Sequence, residues 1–235
     1  MKKLTLELAL AALGEKLFLE SNTLTPILAL SKLMARRYEP DTMDRSTLDM
    51  VVAASEQARD LVKRVLAFTR RDKIDKKPSD LRQIVVESLN LLRATIPTTI
   101  RLDTEMDDVP LILADASQMD QVIANLVTNA AHAIGTRLGV ITVKLDLVTE
   151  SASDQTIRLS VIDTGEGIDE ATRQRIFEPF FTTKEVGQGT GLGLSIIAGI
   201  VADHGGRIEV ESEPAKGSRF DVYLPIKHSG VSAAA

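Results

Sequence analysis

The chain has 235 residues, of which 44% are hydrophobic and 26% charged, a composition ordinary for a soluble globular protein of one large domain or two modest ones. Its net charge of -5 and its 3% aromatic content argue against nucleic acid as a partner. The absence of cysteine excludes disulfides and thiolate metal sites, and no apolar run approaches the roughly 20 residues that span a bilayer. We therefore expect this segment to make no membrane contact and to be cytoplasmic, on its own or as part of a larger membrane-bound protein.

Residues 1–71 are predicted to form an all-α hairpin of two long helices. Apolar side chains recur at steps of three and four residues over 10–34 and again over 48–68. Pro26 should bend the first helix, and Pro40 should separate it from the second. The apolar faces are too broad for two helices to bury against each other, so the hairpin is predicted to form a dimeric four-helix bundle. Packing of the hairpin on the rest of its own chain is the alternative.

Residues 72–79 are charged, contain a proline and are predicted to be a linker. Residues 80–227 are predicted to fold as an α/β sandwich, with a mixed sheet covered by helices on one face, and residues 228–235 to be a tail. Helices are expected near 79–95 and 116–135 and after Gly193, and strands near 98–104, 139–149, 156–163, 206–213 and 218–225.

Four short segments of this second domain contain residues suited to binding a ligand. The first, DQVIANLVTNAAHAI at 120–134, places Asn125, Asn129 and His132 on one face of a helix. Carboxamide oxygens are good ligands for Mg²⁺, which usually shares substrate phosphates. A helix whose polar side faces solvent is the alternative for this segment alone.

The second segment, DTGEGI at 163–168, follows a predicted strand. Asp163 at the strand end suits the exocyclic amine of a base, while Gly165 and Gly167 allow close approach and a tight turn. Taken alone, the segment is also compatible with an ordinary glycine turn after a strand.

The third segment is FEPFFTTK at 177–184, in which two threonines and a lysine suit phosphate groups. We expect its aromatic residues to anchor the loop to the core; they are Phe177, Phe180 and Phe181. The fourth segment, GQGTGLGLSII at 187–197, opens onto a helix whose first backbone N–H groups can hold an anion. It matches neither the Walker nor the Rossmann pattern.

In order and spacing these segments resemble the N, G1, F and G2 boxes of sensor histidine kinases, over residues 80–226. The segment 205–225 resembles the last strand pair of that family. The resemblance implies a Bergerat-type ATP-binding fold, ATP and Mg²⁺, a homodimer, and a response regulator receiver domain as partner. Asn129 would hold Mg²⁺ and Asp163 the adenine amine. The other ATP-binding residues implied are Asn125, His132, Ala133, Gly165, Gly167, Ile168, Thr182, Thr183, Lys184, Gly187, Gly189, Thr190, Gly191, Leu192, Gly193 and Leu194. For His132, a partly exposed helix histidine with no phosphate role is the alternative.

Asn125 bears on what happens to bound ATP. Related ATPases such as gyrase carry at this position a glutamate that serves as general base for water. A carboxamide takes no proton at neutral pH, so we expect hydrolysis to be slow and ATP to be kept for transfer.

The segment LFLESNTLTPILAL at 17–30 resembles the family's H box but lacks its acceptor histidine. One register puts Phe18 at the histidine and Leu19 at the acid, while another puts Ser21 and Asn22 there. The candidate catalytic positions of this box are Ser21, Asn22 and Thr25. The three histidines of the chain are His132, His204 and His228, all beyond the hairpin.

The missing acceptor leaves three functional hypotheses. The chain is a histidine kinase core altered at its acceptor, a non-catalytic ATP-binding dimeric signalling scaffold, or a phosphatase of a response regulator in which Asn22 or Thr25 orients a water. Transfer to a protein serine, as in the mitochondrial dehydrogenase kinases, has little support. Phe18 cannot be phosphorylated and Ser21 lacks a placed base, so phosphorylation of the chain's own hairpin is not expected.

Overall fold

The computed structural model describes residues 26–39, 42–69, 74–151, 154–184 and 190–226, with only the backbone of 57–69, 150–151 and 154. The chain divides into two compact units, which are described separately. One holds the hairpin helices and Lys184–Leu192, and the other holds Ile74–Thr183 and the residues from Gly193 onward. No helix within the described ranges is long and apolar enough to cross a membrane.

The first unit contains helical residues 26–35 (α1) and the helix Met43–Thr69 (α2). Thr42 Oγ1 accepts a hydrogen bond from the Arg45 amide at 3.3 Å, which satisfies one free donor at the start of α2. Lys32 Nζ of α1 lies 2.6 Å from Glu56 Oε1 of α2, so the two helices are neighbours. The predicted bend before residue 26 lies outside the described residues, and the dimeric bundle stays a prediction.

The second unit contains both helices and strands. Its helices are α3 (Leu81–Leu92), α4 (Ala116–Ile134), α5 (Glu170–Arg173) and α6 (Gly193–Asp203). Its strands are β1 (Lys77–Ser79), β2 (Ile100–Met106), β3 (Ile112–Ala114), β4 (Gly139–Ser151), β5 (Asp154–Asp163), β6 (Arg207–Glu213) and β7 (Gly217–Pro225).

The main sheet has five strands in the order β2-β4-β5-β7-β6. The pair β2–β4 is parallel, whereas β4–β5, β5–β7 and β6–β7 are antiparallel. The sheet is therefore mixed, which confirms that part of the prediction. The five strands predicted from alternation all occur, within a few residues of their expected ends.

Alternation along the central strands decides which face of the sheet is covered. The buried apolar side chains of β4 and β5 share one core with α3, α4 and α6; they are Ile141, Val143, Leu145, Ile157, Leu159 and Val161. The opposite face is polar: Arg158 Nη2 lies 2.5 Å from Asp146 Oδ2, and Arg219 Nε lies 2.8 Å from Asp221 Oδ2. The helices thus cover the face toward which the last residue of β5, Asp163, also points.

Three short elements were not predicted from the sequence. Lys77–Ser79, the end of the expected linker, form β1 and pair with β3, where Ser79 Oγ donates to the Ala114 carbonyl at 3.1 Å. Helix α5 is a single turn capped by Asp169, whose carboxylate accepts from the Thr172 amide at 2.7 Å. Segments of three or four residues are too short to show a period. The predicted domain boundaries stay predictions.

Candidate nucleotide-binding site

Asp163 is the buried carboxylate at the end of β5, with only 4% of its surface exposed. Its Oδ1 accepts a hydrogen bond from the Gly165 amide at 2.7 Å. Burial raises the pKa of Asp163, while hydrogen bonds from the backbone of Gly165 and Ser218 oppose that rise. A carboxylate oxygen has room for more than one donor, so Asp163 can also accept an amine from a ligand.

The turn after Asp163 is pressed against helix α4. A methyl group at Gly165 would lie 2.6 Å from Asp163 Oδ1 and 2.7 Å from the Ala133 Cβ. The Glu166 amide also donates to the Ala133 carbonyl at 3.1 Å. Only glycine at 165 permits this approach, so the sequence brings the turn and the helix to one place.

The turn between β6 and β7 supports the same segment from the other side. The Ala215 amide donates to the Glu166 carbonyl at 2.6 Å, and the Ile168 amide donates to Ser212 Oγ at 2.8 Å. Gly167, with φ of 68°, lies against the backbone of Glu213. Sequence reasoning missed these supporting residues, although the glycine at 217 marks the turn that supplies them.

Asn125 and Asn129 lie half-buried on one face of α4, as their spacing predicts. A Cβ placed on Gly193, the first residue of α6, would lie 3.8 Å from Asn125 Oδ1 and 3.9 Å from Asn129 Nδ2. The first backbone N–H groups of a helix attract anions, and carboxamide oxygens attract hard cations. The structure therefore brings together groups suited to a phosphate and to the metal ion that accompanies it.

His132 is exposed, and Ala133 is half-buried. Both line a cleft of about 530 Å³ whose other lining residues are Ile134, Gly135, Thr136, Arg137, Glu166 and Ala215. Arg137 Nη2 donates to the Ala133 carbonyl at 3.1 Å, which places a cation at the end of α4. The cleft therefore lies between the end of α4 and the turn after Asp163.

The three aromatic residues of 177–184 differ in how far they are buried. Phe177 and Phe181 pack against the core, and the Arg175 guanidinium lies 4.2 Å from the centre of the Phe181 ring. Phe180 is 58% exposed and has φ of 67°, so its predicted anchoring role is wrong. A positive φ is uncommon for a bulky residue, and at Phe180 it coincides with an exposed ring.

The remaining predicted ligands are distributed over both units. Thr182 and Thr183 are exposed and Leu194 packs against the core of the second unit. Of the predicted ligands that the structure describes, four belong to the first unit: Lys184, Thr190, Gly191 and Leu192. The positions that lie outside the described residues are Phe18, Leu19, Ser21, Asn22, Thr25, Gly187 and Gly189.

The described residues contain no group of three or more His, Cys, Asp or Glu side chains that could hold a metal ion. Mg²⁺ commonly binds through one or two protein oxygens, substrate phosphates and waters, and so does not require such a group. The carboxamides of Asn125 and Asn129 fit this kind of site.

Comparison with known proteins agrees with this geometry. Residues 114–228 match the family model described as histidine kinase-, DNA gyrase B-, and HSP90-like ATPase. The sensor histidine kinase ZraS of Klebsiella oxytoca is 35% identical over 207 residues, which cover 87% of this chain and 43% of ZraS. The chain thus spans less than half the length of that relative.

Solved structures lead to the same family. The catalytic domain of the histidine kinase ThkA is 35% identical in sequence. The match covers 65% of this chain and 96% of the ThkA domain, with a TM-score of 0.56. ThkA in its complex with the response regulator protein TrrA is 25% identical in sequence. That match covers 92% of this chain and 61% of the ThkA chain, with a TM-score of 0.64. The resemblance inferred from the four boxes is confirmed: the chain belongs to the histidine kinase-, gyrase B- and HSP90-like ATPases and contains the catalytic ATPase core of a two-component sensor histidine kinase.

Proposed function

We propose that this chain binds ATP together with Mg²⁺ as the kinase core of a two-component system, and that its own hairpin supplies no phosphoacceptor histidine. The observation that carries the proposal is the position of Gly193, at the start of α6, beside Asn125 and Asn129 of α4. This juxtaposition supports a triphosphate held between the amides of α6 and the carboxamides of α4.

The adenine would be recognised by Asp163. Its buried carboxylate would accept the exocyclic amine, and a buried acceptor discriminates strongly against a base that lacks the donor. Gly165, Gly167 and Ile168 would line the base, since their backbone is fixed between α4 and the β6–β7 turn. The cleft that contains His132 and Ala133 adjoins this turn and would hold the ribose side of the nucleotide.

The phosphates would be held by polar groups on several segments. Asn129 would bind Mg²⁺, which would neutralise phosphate charge when bound. Asn125 lies beside it, and because a carboxamide takes no proton, it would not activate water. The remaining groups proposed around the phosphates are Thr182, Thr183, Lys184, Gly187, Gly189, Thr190, Gly191, Leu192, Gly193 and Leu194.

The acceptor is the point at which this chain departs from its relatives. In histidine phosphorylation an imidazole nitrogen attacks the γ-phosphorus, the bond to the β,γ-bridging oxygen breaks, and ADP leaves. Neither Phe18 nor Ser21 offers that nitrogen. We therefore expect ATP to stay bound without passing its phosphoryl group to the hairpin.

Two partners belong to the proposal. The first is a second copy of the chain, which the exposed apolar residues of the hairpin support. The second is a response regulator receiver domain, supported by the likeness to ThkA, whose structure is known in complex with a response regulator.

The test uses γ-³²P-ATP with the purified chain and with two variants, Phe18→His and Ser21→His. We expect the wild type to bind ATP with Mg²⁺ and to acquire no acid-labile label. The variant in the correct register should become labelled and pass the label to a receiver domain. Acid-labile label on the wild-type chain would overturn the missing-acceptor proposal, and failure to bind ATP would overturn the whole proposal.

A second candidate function is a response-regulator phosphatase, because Asn22 and Thr25 remain in the H-box segment although the histidine does not. A receiver domain phosphorylated with acetyl phosphate provides the substrate. Faster loss of phosphate with the wild type than with Asn22→Ala would support this function. Nucleotide-dependent stabilisation with neither transfer nor phosphatase activity would support a non-catalytic scaffold instead.

A further inference from the structure

His204 is a buried histidine that the proposed site does not use, with 4% of its surface exposed directly after α6. Its Nδ1 lies 2.8 Å from the Ile200 carbonyl oxygen. A carbonyl oxygen can only accept, so Nδ1 carries a proton. Its Nε2 lies 3.1 Å from the Asp115 amide nitrogen, which donates, so Nε2 carries none. The two contacts together define a neutral imidazole in a single tautomer.

Asp115, the partner of His204, caps helix α4. Its Oδ1 accepts from the amides of Ser117 at 3.0 Å and Gln118 at 3.3 Å. Its Oδ2 accepts from the Asp75 amide at 3.1 Å, in the segment just before β1. The hydrogen bond from the Ser117 hydroxyl lowers the pKa of Asp115, so the cap stays ionised.

The same segment also reaches the end of α6. Lys76 Nζ donates to the Asp203 carbonyl at 2.6 Å, next to His204. A cation at the last carbonyls of a helix is favourable. Residues Asp75 and Lys76 thus touch the start of α4 and the end of α6, the two ends that His204 joins.

These contacts lie at the opposite end of the helix pair from the proposed phosphate site. His204 and Asp115 join the end of α6 to the start of α4, while Gly193 at the start of α6 lies beside Asn125 and Asn129. The two helices are therefore antiparallel, and ten residues of α4 separate Asp115 from Asn125 by about 15 Å. Because helices move as stiff bodies, a shift at one end of the pair changes the spacing at the other.

We propose that His204 is a positioning residue for the ATP phosphates, because its neutral imidazole fixes α6 against α4 and thereby sets the spacing between Gly193 and the two asparagines. The inference rests on the proposed ATP binding. We call the hydrogen bond from the Asp115 amide to His204 Nε2 the clamp.

The experiment measures the ATP affinity of the full chain by calorimetry. His204→Leu offers no acceptor to the Asp115 amide and should bind ATP about tenfold more weakly than the wild type. His204→Gln keeps an acceptor for that amide, so its affinity should lie close to that of the wild type.

Two controls separate positioning from a general loss of stability. Val201→Ala removes buried volume from α6 without touching the clamp, and it should lower the melting temperature while leaving affinity unchanged. His228→Gln, in the predicted tail, should keep the wild-type affinity. A His204→Leu variant that binds ATP as the wild type does, or a His204→Gln variant that binds as weakly as His204→Leu, would overturn the positioning role.

A measurement made without ATP tests the role of His204 separately from the proposed function. Hydrogen exchange of the amides at 197–200, which can donate to carbonyl groups within α6, should become faster in His204→Leu and stay unchanged in His228→Gln. Unchanged exchange in His204→Leu would overturn the clamp itself. If the wild-type chain bound no ATP while exchange responded as expected, the clamp would stand and the proposed function would fail.

Discussion

Gly217 lies with its α-carbon against the carbonyl group of Asp163, so closely that a Cβ at 217 would overlap the Asp163 carbonyl oxygen. Gly217 has φ of 96°, and its neighbour Ser218 pairs with Asp163 between β7 and β5. The turn that recognises the base in our proposal is therefore held on one side by α4 and on the other by Gly217.

We predict that Gly217→Ala destabilises the chain by about 2–4 kcal/mol, the combined size of an overpacked contact and a strained positive φ. The alanine methyl would push the Asp163 backbone away from its place at the end of β5. ATP affinity should fall as well, because the carboxylate moves with the backbone. Denaturant unfolding and calorimetric titration measure the two effects.

Gly205→Ala is the matched control, since Gly205 also has a positive φ, of 74°, but its nearest neighbour to an added Cβ is Pro225 Cγ at 3.7 Å. It should cost about 1–2 kcal/mol from backbone strain alone, a smaller loss of stability than at Gly217. Equal losses of stability in the two variants would contradict the steric argument at Gly217.

Asp163→Asn tests base recognition directly. The substitution keeps the size of the side chain but presents an amide in place of a carboxylate oxygen. We expect ATP affinity to fall by about 1–3 kcal/mol, the cost of leaving a buried polar group unsatisfied. Asp221→Asn is a control at another buried carboxylate, on the polar side of the sheet. Unchanged affinity in Asp163→Asn would contradict the placement of the adenine.

The pH dependence of stability offers a second test of Asp163. Burial raises its pKa, so the folded chain binds this proton more tightly than the unfolded chain. The group therefore costs stability above its folded pKa, and the cost disappears as the pH falls through that pKa toward the unfolded value of about 3.9. Relative to Asp163→Asn, the wild type should gain unfolding free energy as the pH is lowered from about 7 toward 4.

Asp169 should behave in the opposite way. Hydrogen bonds from Thr172 lower its pKa, so its contribution is present above the unfolded pKa and is lost as the pH falls through the folded value. Relative to Asp169→Asn, the wild type should lose unfolding free energy over the acid range. The same direction of change for both pairs would contradict the assigned causes.

The parts of the site that sequence predicts are those with a local period. Asp163 is predictable because it ends an alternating run and two glycines follow it. Asn125 and Asn129 are predictable as one face of a helix because their spacing of four residues matches its turn. In each case the residues that reveal the site lie close together in the sequence.

The parts that sequence does not predict depend on contacts between distant segments. β1 forms because Lys77–Ser79 meet Ile112–Ala114, and neither run is long enough to show alternation. The support that Gly217 gives Asp163 depends on the register of β5 and β7. The prediction for Phe180 is wrong for a different reason. Neighbouring aromatic residues suggest burial, but Phe180 has a positive φ, which its sequence does not signal, and its ring is exposed.

The metal prediction concerns Asn129. We expect Asn129→Ala to weaken ATP binding in the presence of Mg²⁺ by about tenfold or more, since it removes the proposed protein ligand. With EDTA in place of Mg²⁺ the difference between variant and wild type should largely disappear. Thr128→Ala, at an exposed neighbouring position of α4, is the control. A loss of equal size with and without Mg²⁺ would place Asn129 at the nucleotide and not at the metal.

The last prediction concerns the hairpin, whose outer surface is unusually apolar. Ile27, Leu30 and Met34 are 45%, 60% and 48% exposed along one side of α1, and Met43 and Met50 of α2 are 86% and 72% exposed. Burial of each leucine-sized side chain in a second copy would contribute about 1.5–3 kcal/mol, so Leu30→Lys should shift the chain from dimer to monomer in light scattering. Leu91→Lys makes the same chemical change at a residue of α3 that is 78% exposed, and it should leave the mass unchanged. A wild-type chain that is monomeric at high concentration would contradict the dimer, and a loss of dimer in both variants would indicate a nonspecific effect of added charge.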